Sequence, residues 1–530
     1  MMHLLKSDTA RKSTAMMLAL ITALGPSSMP AFGAGKPAET AAPSTATPVK
    51  HLVVIFQENV SFDHYFGTYP VATNPGGEPK FVGAAGTPTV NGLSNALLNF
   101  NPNLNPANGA GASNPFRLDR SQAVTPDQDH DYTAEQLAFD AGVMDLFPLN
   151  TSSGGNEVMG YFDGNTVTAL WNYAQFFSMS DNSFGTTFGP STPGVMNLVA
   201  GQTNGVAATL NGTGDEVSDG NGGLTVIGDP DPLNDVCSNP TRNQVQMSGK
   251  NIGDLLTAAG VTWGGFMGGF NLNRVNPNGT TGCSRSSTGL PGTTADYIPH
   301  HSFFNYWAST ANPKHTRPAS LGEIGHDGAA NHQYDLQDFF VAAAAGNLPA
   351  VSFLKAQAYQ DGHAGYSDPL DEQTFLVNTI NFLEALPSWS STAVVVMYDD
   401  SDGWYDHQMG PIVNTSTGTA DALTAPGACG NGKIVLPGVT GAPAMGRCGY
   451  GPRLPLLVVS PWARQNFVDH TVTDQSSILR FVEDNWLGGE RIGQGSFDDL
   501  ASSIAQMFDF SHQHGDHRLF LNPSSGEPIR

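Results

Sequence analysis

Two continuous apolar runs, HLVVIF at 51–56 and AVVVMY at 393–398, constrain the fold most. Each is too short for a buried helix and rich in β-branched residues, so each reads as a strand covered on both faces. Such strands belong to parallel sheets, whose crossover connections are usually helices. The rest of the pattern agrees. Further strands are expected at 261–267, 350–354 and 455–461. Helices are expected at 132–147, 170–182 (running into a loop), 195–201, 251–260, 333–346, 374–386 and 476–486. This alternation predicts an α/β fold, with a largely parallel central sheet flanked by helices on both faces. The polar, turn-rich stretches 70–128 and 202–245 are long loop insertions. Both defining strands stop on acid: Gln57-Glu58-Asn59 after the first and Asp399-Asp400 after the second. Open α/β sheets place ligands outside the carboxyl ends of their strands. The two acidic ends are therefore expected to meet at one edge.

The chain has 47 acidic against 23 basic residues, a net charge of −24. That balance argues against nucleic acid as a partner and against electrostatic docking on anionic lipid. An anionic substrate would need a locally positive site, such as a metal ion. Lys6, Arg11 and Lys12 precede the short apolar run 14–25, and the small residues of PAFGAG follow. This order predicts a signal peptide over 1–34, a flexible leader over 35–49, and export to the periplasm or the medium. Residues 50–530 read as one domain. No later stretch has 18 uninterrupted apolar residues, so stable membrane insertion is not expected. The four cysteines form no CxxC pair, and two disulfides are expected after export. Of three pairings, Cys237–Cys283 with Cys429–Cys448 is favoured, because each closes a local Gly/Asn/Pro-rich insertion.

Adjacent carboxylates repel in a low-dielectric setting, and a divalent cation is the usual remedy. Oxygen ligands favour Ca²⁺, Mg²⁺ or Mn²⁺, and nearby histidine admits Zn²⁺ or Fe. Asp402, Asp406 and His407 follow the acidic pair. In TTFGPSTPGVMNLVAGQ (186–202), Ser191 and Thr192 stand at the start of a helix. A hydroxyl there is ordinarily an N-cap. Beside a metal, and at a helix N-terminus that attracts anions, Ser191 would be a nucleophile. His130, His300, His301 and His363 lie in polar loops. A lone loop histidine is usually solvated. Converging ones would contact an anion's oxygens and supply a general acid.

HLVVIFQENVSFDHYFG, FGPSTPG, VVVMYDDSDGWYDH and RLPLLVVSPWA with VDHTVTDQSSILRFVEDNW occur in this order. Together, over about residues 50–490, they resemble the bacterial phosphoesterase family of non-haemolytic phospholipases C and a secreted acid phosphatase branch. The resemblance implies an alkaline-phosphatase-like α/β fold. It implies that Glu58, Asn59, Asp399 and Asp400 hold one divalent metal ion, and that Asn59 also contacts phosphate. It implies that Ser191 is the nucleophile, and that His130, His300, His301 and His363 surround the phosphate, with His363 or His301 as general acid. Two departures stand out. The family's Y-D-E-x-G-G is Tyr398, Asp399, Asp400, Ser401, Asp402 and Gly403 here. Many phospholipase members read Thr, then Asn-Arg, in the nucleophile block, where this chain has Ser191 and Gly194. The long phospholipases also carry C-terminal β domains, for which residues 487–530 leave no room. These features favour a metal-dependent acid phosphatase acting on small phosphate monoesters through phosphoserine. The alternative is a phospholipase C acting on phosphatidylcholine-like diesters, for which the aromatic strips FSMSDNSF and HHSFFNYW could supply an apolar rim, although they read more readily as core.

Overall fold

The computed structural model describes residues 44–432, 436–512 and 517–529. The expected signal peptide lies outside them. The end of the expected leader does not. There, Asn485 accepts from the Ala46 and Thr47 N–H groups at 2.9 and 2.8 Å, and its side chain donates to the Val49 carbonyl at 2.9 Å.

The core is an eight-stranded sheet. In chain order its strands are β1 (His51–Gln57), β2 (Ser178–Ser180), β3 (Trp263–Met267), β4 (Gln333–Asp335), β5 (Val351–Lys355), β6 (Thr392–Tyr398), β7 (Leu456–Val459) and β8 (Phe467–Asp469). They lie side by side as β4-β3-β5-β1-β6-β7-β2-β8. All pairs are parallel except those made by β7, which runs against both β6 and β2. β1 sits at the centre, between β5 and β6, and is buried from Leu52 onward. This is why its sequence is almost purely apolar.

Six helices matter below: α1 (Thr168–Phe176), α2 (Ser191–Ala200), α3 (Ile252–Ala258), α4 (Leu336–Ala344), α5 (Pro369–Ala385) and α6 (Ser477–Trp486). They form two layers, with α2 contacting α3 and α6 on one face and α5 contacting α1 and α4 on the other. Their ends follow local chemistry. Pro369 opens α5 behind Asp368, whose carboxylate accepts from the Leu370 and Asp371 N–H groups at 2.8 and 3.2 Å. Gly201 closes α2 at φ 57°.

Two expectations need correction. The helix expected at 132–147 spans only Tyr132–Phe139, because Asp140 and Ala141 take left-handed backbone angles. That turn still delivers Phe139, Met144 and Phe147 to one buried cluster, so helical spacing misled. The segment after α1 is not loop: SMS at 178–180 forms strand β2, which is short and has no apolar alternation to announce it. β8 was missed for the same reason. The expected disulfides, Cys237–Cys283 and Cys429–Cys448, are both present. The aromatic strips are core, as their preferred reading had it: Phe177, Phe184, Phe303, Phe304, Tyr306 and Trp307 are all buried.

Candidate active site

The acidic strand ends do meet. β1 and β6 run in register with Gln57 opposite Tyr398, so Glu58-Asn59 and Asp399-Asp400 emerge side by side. Asn59 turns at φ 61°, a left-handed conformation that asparagine tolerates better than most residues. The turn aims its N–H at Asp399 Oδ1, 2.9 Å away, and its side-chain amide at Asp402 Oδ1, 3.0 Å away. Asp399 Oδ1 also accepts from the Asp400 N–H at 2.8 Å. Asp400 Oδ1 accepts from the Asp402 N–H at 2.8 Å. These bonds lock the two strand exits together.

Ser191 is the first residue of α2, and Pro190 holds the cap position without a side-chain hydrogen bond. The hydroxyl is therefore not spent on capping. Its Oγ lies 3.0 Å from Glu58 Oε2 and 3.4 Å from Asp400 Oδ2. Gly194 permits this approach, since a Cβ there would stand 2.5 Å from the Asp399 carbonyl oxygen. The departure at Gly194 thus has a steric reason: the first turn of α2 rests directly on the β6 exit.

Sequence reasoning missed Lys355, the last residue of β5. It ion-pairs with Glu58 and is buried. Burial opposes its charge, but Glu58 and Asp399 outweigh that and raise its pKa. A signal was available: the strand expected at 350–354 runs straight into a lysine, in a chain poor in lysine. Asp361 was also missed. It accepts from the His363 N–H at 3.1 Å and the Tyr366 hydroxyl at 3.2 Å.

The acids have unequal titration. Burial works against ionisation of Asp399, yet Lys355 and the backbone donors hold it below the usual carboxylate range. Burial, then Asp399, pushes Asp400 well above that range. Burial raises Asp402 to about 7.

Of the four expected histidines, His301 and His363 line the site closely. His301 Nδ1 lies 3.2 Å from Glu58 Oε1, and the His301 and His363 rings stand 6.4 Å apart and nearly parallel. His130 joins from the side, with its ring 6.0 Å from that of His363. His300 is one residue further out, its ring 4.5 Å from that of His301. Their charges differ from the simple expectation of histidinium donors. Burial lowers His363 to about 4 and takes His301 well below the ordinary imidazole value. Burial opposes charge at His130 as well, but Asp400 and Asp402 hold its pKa well above that value. Asp406 and His407, from the same acidic loop, turn elsewhere. They meet Asp63 and Arg453 in a separate buried ion-pair network.

Two groups here could hold a metal ion: Glu58 with His301 and Asp361, and Asp127 with His130 and His363. Independent signs favour the Glu58 side. Asn59 Oδ1 and Asp399 Oδ2 are buried and have no hydrogen-bond partner among the described residues. Glu58, Asp361 and Asp399 crowd around the buried Lys355, while Asp400 and Asp402 face His130. An excess of buried carboxylate with orphaned oxygens fits a divalent cation.

The profile of the Phosphoesterase family matches residues 49–487. Phospholipase C B of Mycobacterium tuberculosis is 24% identical, with 88% of this chain and 77% of that protein aligned. Non-hemolytic phospholipase C of Burkholderia pseudomallei is 25% identical over 83% of this chain, and the alignment spans only 55% of that longer protein. Among solved structures, a protein in the alkaline phosphatase superfamily from Vibrio parahaemolyticus is 11% identical, with a TM-score of 0.28. It covers 74% of this chain and 77% of its own.

Proposed function

The chain belongs to the phosphoesterase family and is a phosphoric ester hydrolase, and from that premise we propose that it is an exported, metal-dependent phosphatase acting on phosphate monoesters through a phosphoserine at Ser191. The observation that carries this reading is the placement of the Ser191 hydroxyl, uncapped and 3.0 Å from Glu58 Oε2, at the junction of the two acidic strand ends. Glu58, Asn59, Asp399 and Asp400 would hold the metal. A bound divalent cation supplies electrophilic stabilisation of the phosphoryl oxygens and eases loss of the serine proton.

The chain's own residues do the rest. Glu58 Oε2 and Asp400 Oδ2 flank Oγ and can accept its proton as Oγ attacks phosphorus. The positive end of the α2 dipole favours the anion, although the Thr192 N–H is already given to Asp229 Oδ1 and Pro193 has none. The bond from phosphorus to the leaving oxygen breaks as that oxygen takes a proton. His130 suits this role better than the expected His363 or His301, because it is the histidine held in the charged form. His363 Nδ1 lies 2.6 Å from the Ala364 carbonyl, so Nδ1 carries the proton and Nε2 is left as an acceptor. That suits a base for the water that releases phosphate from Ser191. The charges on Lys355 and His130 offset the two negative charges of a monoester.

A second reading, phospholipase C-type diester hydrolysis, is supported by the relatives, which are phospholipases C. Exposed Phe100, Leu104, Val143 and Leu149, on the segment leading into and out of His130, support it too. Turnover of p-nitrophenyl phosphate and p-nitrophenyl phosphorylcholine, each with and without a chelator, separates the two. The monoester should be favoured by at least about tenfold in kcat/KM, with activity lost on chelation. Preference for the choline diester would establish the second reading instead.

A further inference from the structure

Half of the described arginines are held by a carboxylate, and Arg242 is not among them. Arg117, Arg285, Arg317, Arg453, Arg480 and Arg491 each pair with a carboxylate. Arg242 is half-buried, and among the described residues it makes no such pair. Among the described residues its side chain has one hydrogen-bonding contact, Nη1 lying 3.3 Å from His300 Nδ1. A guanidinium carries five donors in a planar fork suited to carboxylate or phosphate, so most of its capacity is uncommitted.

Its position is built rather than incidental. The loop 229–242 is pinned to the nucleophile helix, where the Thr192 N–H donates to Asp229 Oδ1 at 2.8 Å. The Tyr306 hydroxyl donates to the Pro230 carbonyl at 2.8 Å, and that of Tyr297 to Asp235 Oδ2 at 2.7 Å. The Cys237–Cys283 disulfide ties the same loop to the insertion that leads to His300 and His301. A buried carboxylate approaches the same His300 nitrogen as Arg242. Asp231 is 2% exposed, its Oδ1 has no hydrogen-bond partner among the described residues, and it lies 3.7 Å from His300 Nδ1. Successive contacts link Arg242 to the nucleophile: His300, the His301 ring, Glu58 Oε1, and then Ser191 beside Oε2.

We propose that Arg242 is a specificity-determining residue that binds a second anionic group, a carboxylate or another phosphate, on the substrate's leaving portion. The inference rests on the phosphoester reading of the Ser191 site and deepens it. It selects anionic small phosphoesters and disfavours a leaving group that carries a quaternary ammonium, which the guanidinium repels.

The test uses a matched pair, phosphoglycerate and glycerol phosphate, which differ by a carboxylate in place of a hydroxymethyl group. Wild type should prefer phosphoglycerate in kcat/KM. Arg242→Met should lower the ratio of the two kcat/KM values by about 10- to 100-fold, chiefly through KM, as expected for losing a charge-assisted contact. Arg242→Lys should restore part of the ratio. Thermal melts of both variants check that the fold is intact. An unchanged ratio in Arg242→Met, or an equal fall on both substrates, overturns the proposal. So does a wild-type enzyme that cleaves p-nitrophenyl phosphate yet shows no preference within the pair. If wild type cleaves none of the three, the phosphoester reading itself has failed, and this proposal with it.

Discussion

Ser191→Ala is expected to lower kcat on p-nitrophenyl phosphate by about 10⁴-fold or more, because it removes the attacking atom and not merely a binding contact. The residue is 1% exposed, and among the described residues its hydroxyl hydrogen-bonds to carboxylate oxygens of Glu58 and Asp400. Its loss leaves a small void and removes one buried hydrogen-bonding group, a stability cost of about 1 kcal/mol. Melting temperature should therefore move by only a few degrees while activity collapses. Metal content after dialysis should stay near the wild-type value, since the carboxylates are untouched. Retention of activity within tenfold of wild type would remove Ser191 from the chemistry and shift attention to a directly activated water.

Asp400→Asn is expected to act differently. It should lower kcat/KM by about 10²- to 10³-fold and reduce bound divalent metal at the same time, because it deletes a charge facing both the cation position and Ser191. The stability sign is opposite to that of an ordinary core substitution. Burial and the neighbouring Asp399 already make ionised Asp400 costly in the protein without a cation. Chelated Asp400→Asn should therefore melt no lower than chelated wild type, while added metal should stabilise wild type more than the variant. Equal metal stabilisation of both proteins would place the cation elsewhere, and the Asp127, His130 and His363 group would then be the first alternative.

Much of this site was legible because chemistry was placed where a strong local pattern ends. HLVVIF and AVVVMY announce buried strands, and the residues that break them, Glu58, Asn59, Asp399 and Asp400, come together once the strands pair in parallel. Ser191 was legible as a hydroxyl between Gly189-Pro190 and a helix, although the helix begins four residues earlier than its apolar run suggests. What was not legible depended on tertiary electrostatics. No sequence rule says that His130 is held charged by Asp400 and Asp402 while His363, two ring-widths away, is neutralised by burial. Lys355 was hidden for a similar reason: a lysine at a strand end normally reaches solvent, and only Glu58 and Asp399 across the sheet explain why this one stays inside. Strands β2 and β8 escaped because three-residue strands carry no periodicity to read.

The most direct test of a phosphoserine route is to trap the intermediate. The enzyme is mixed with excess p-nitrophenyl phosphate, quenched in acid during steady state, digested, and mapped by mass spectrometry. One phosphoryl group on the peptide containing Ser191, absent from Ser191→Ala and from chelated enzyme, is the predicted result. An enzyme that turns over under the same conditions but carries no phosphoryl group at Ser191 after quenching across the full time course, or carries it on a histidine, would contradict the account.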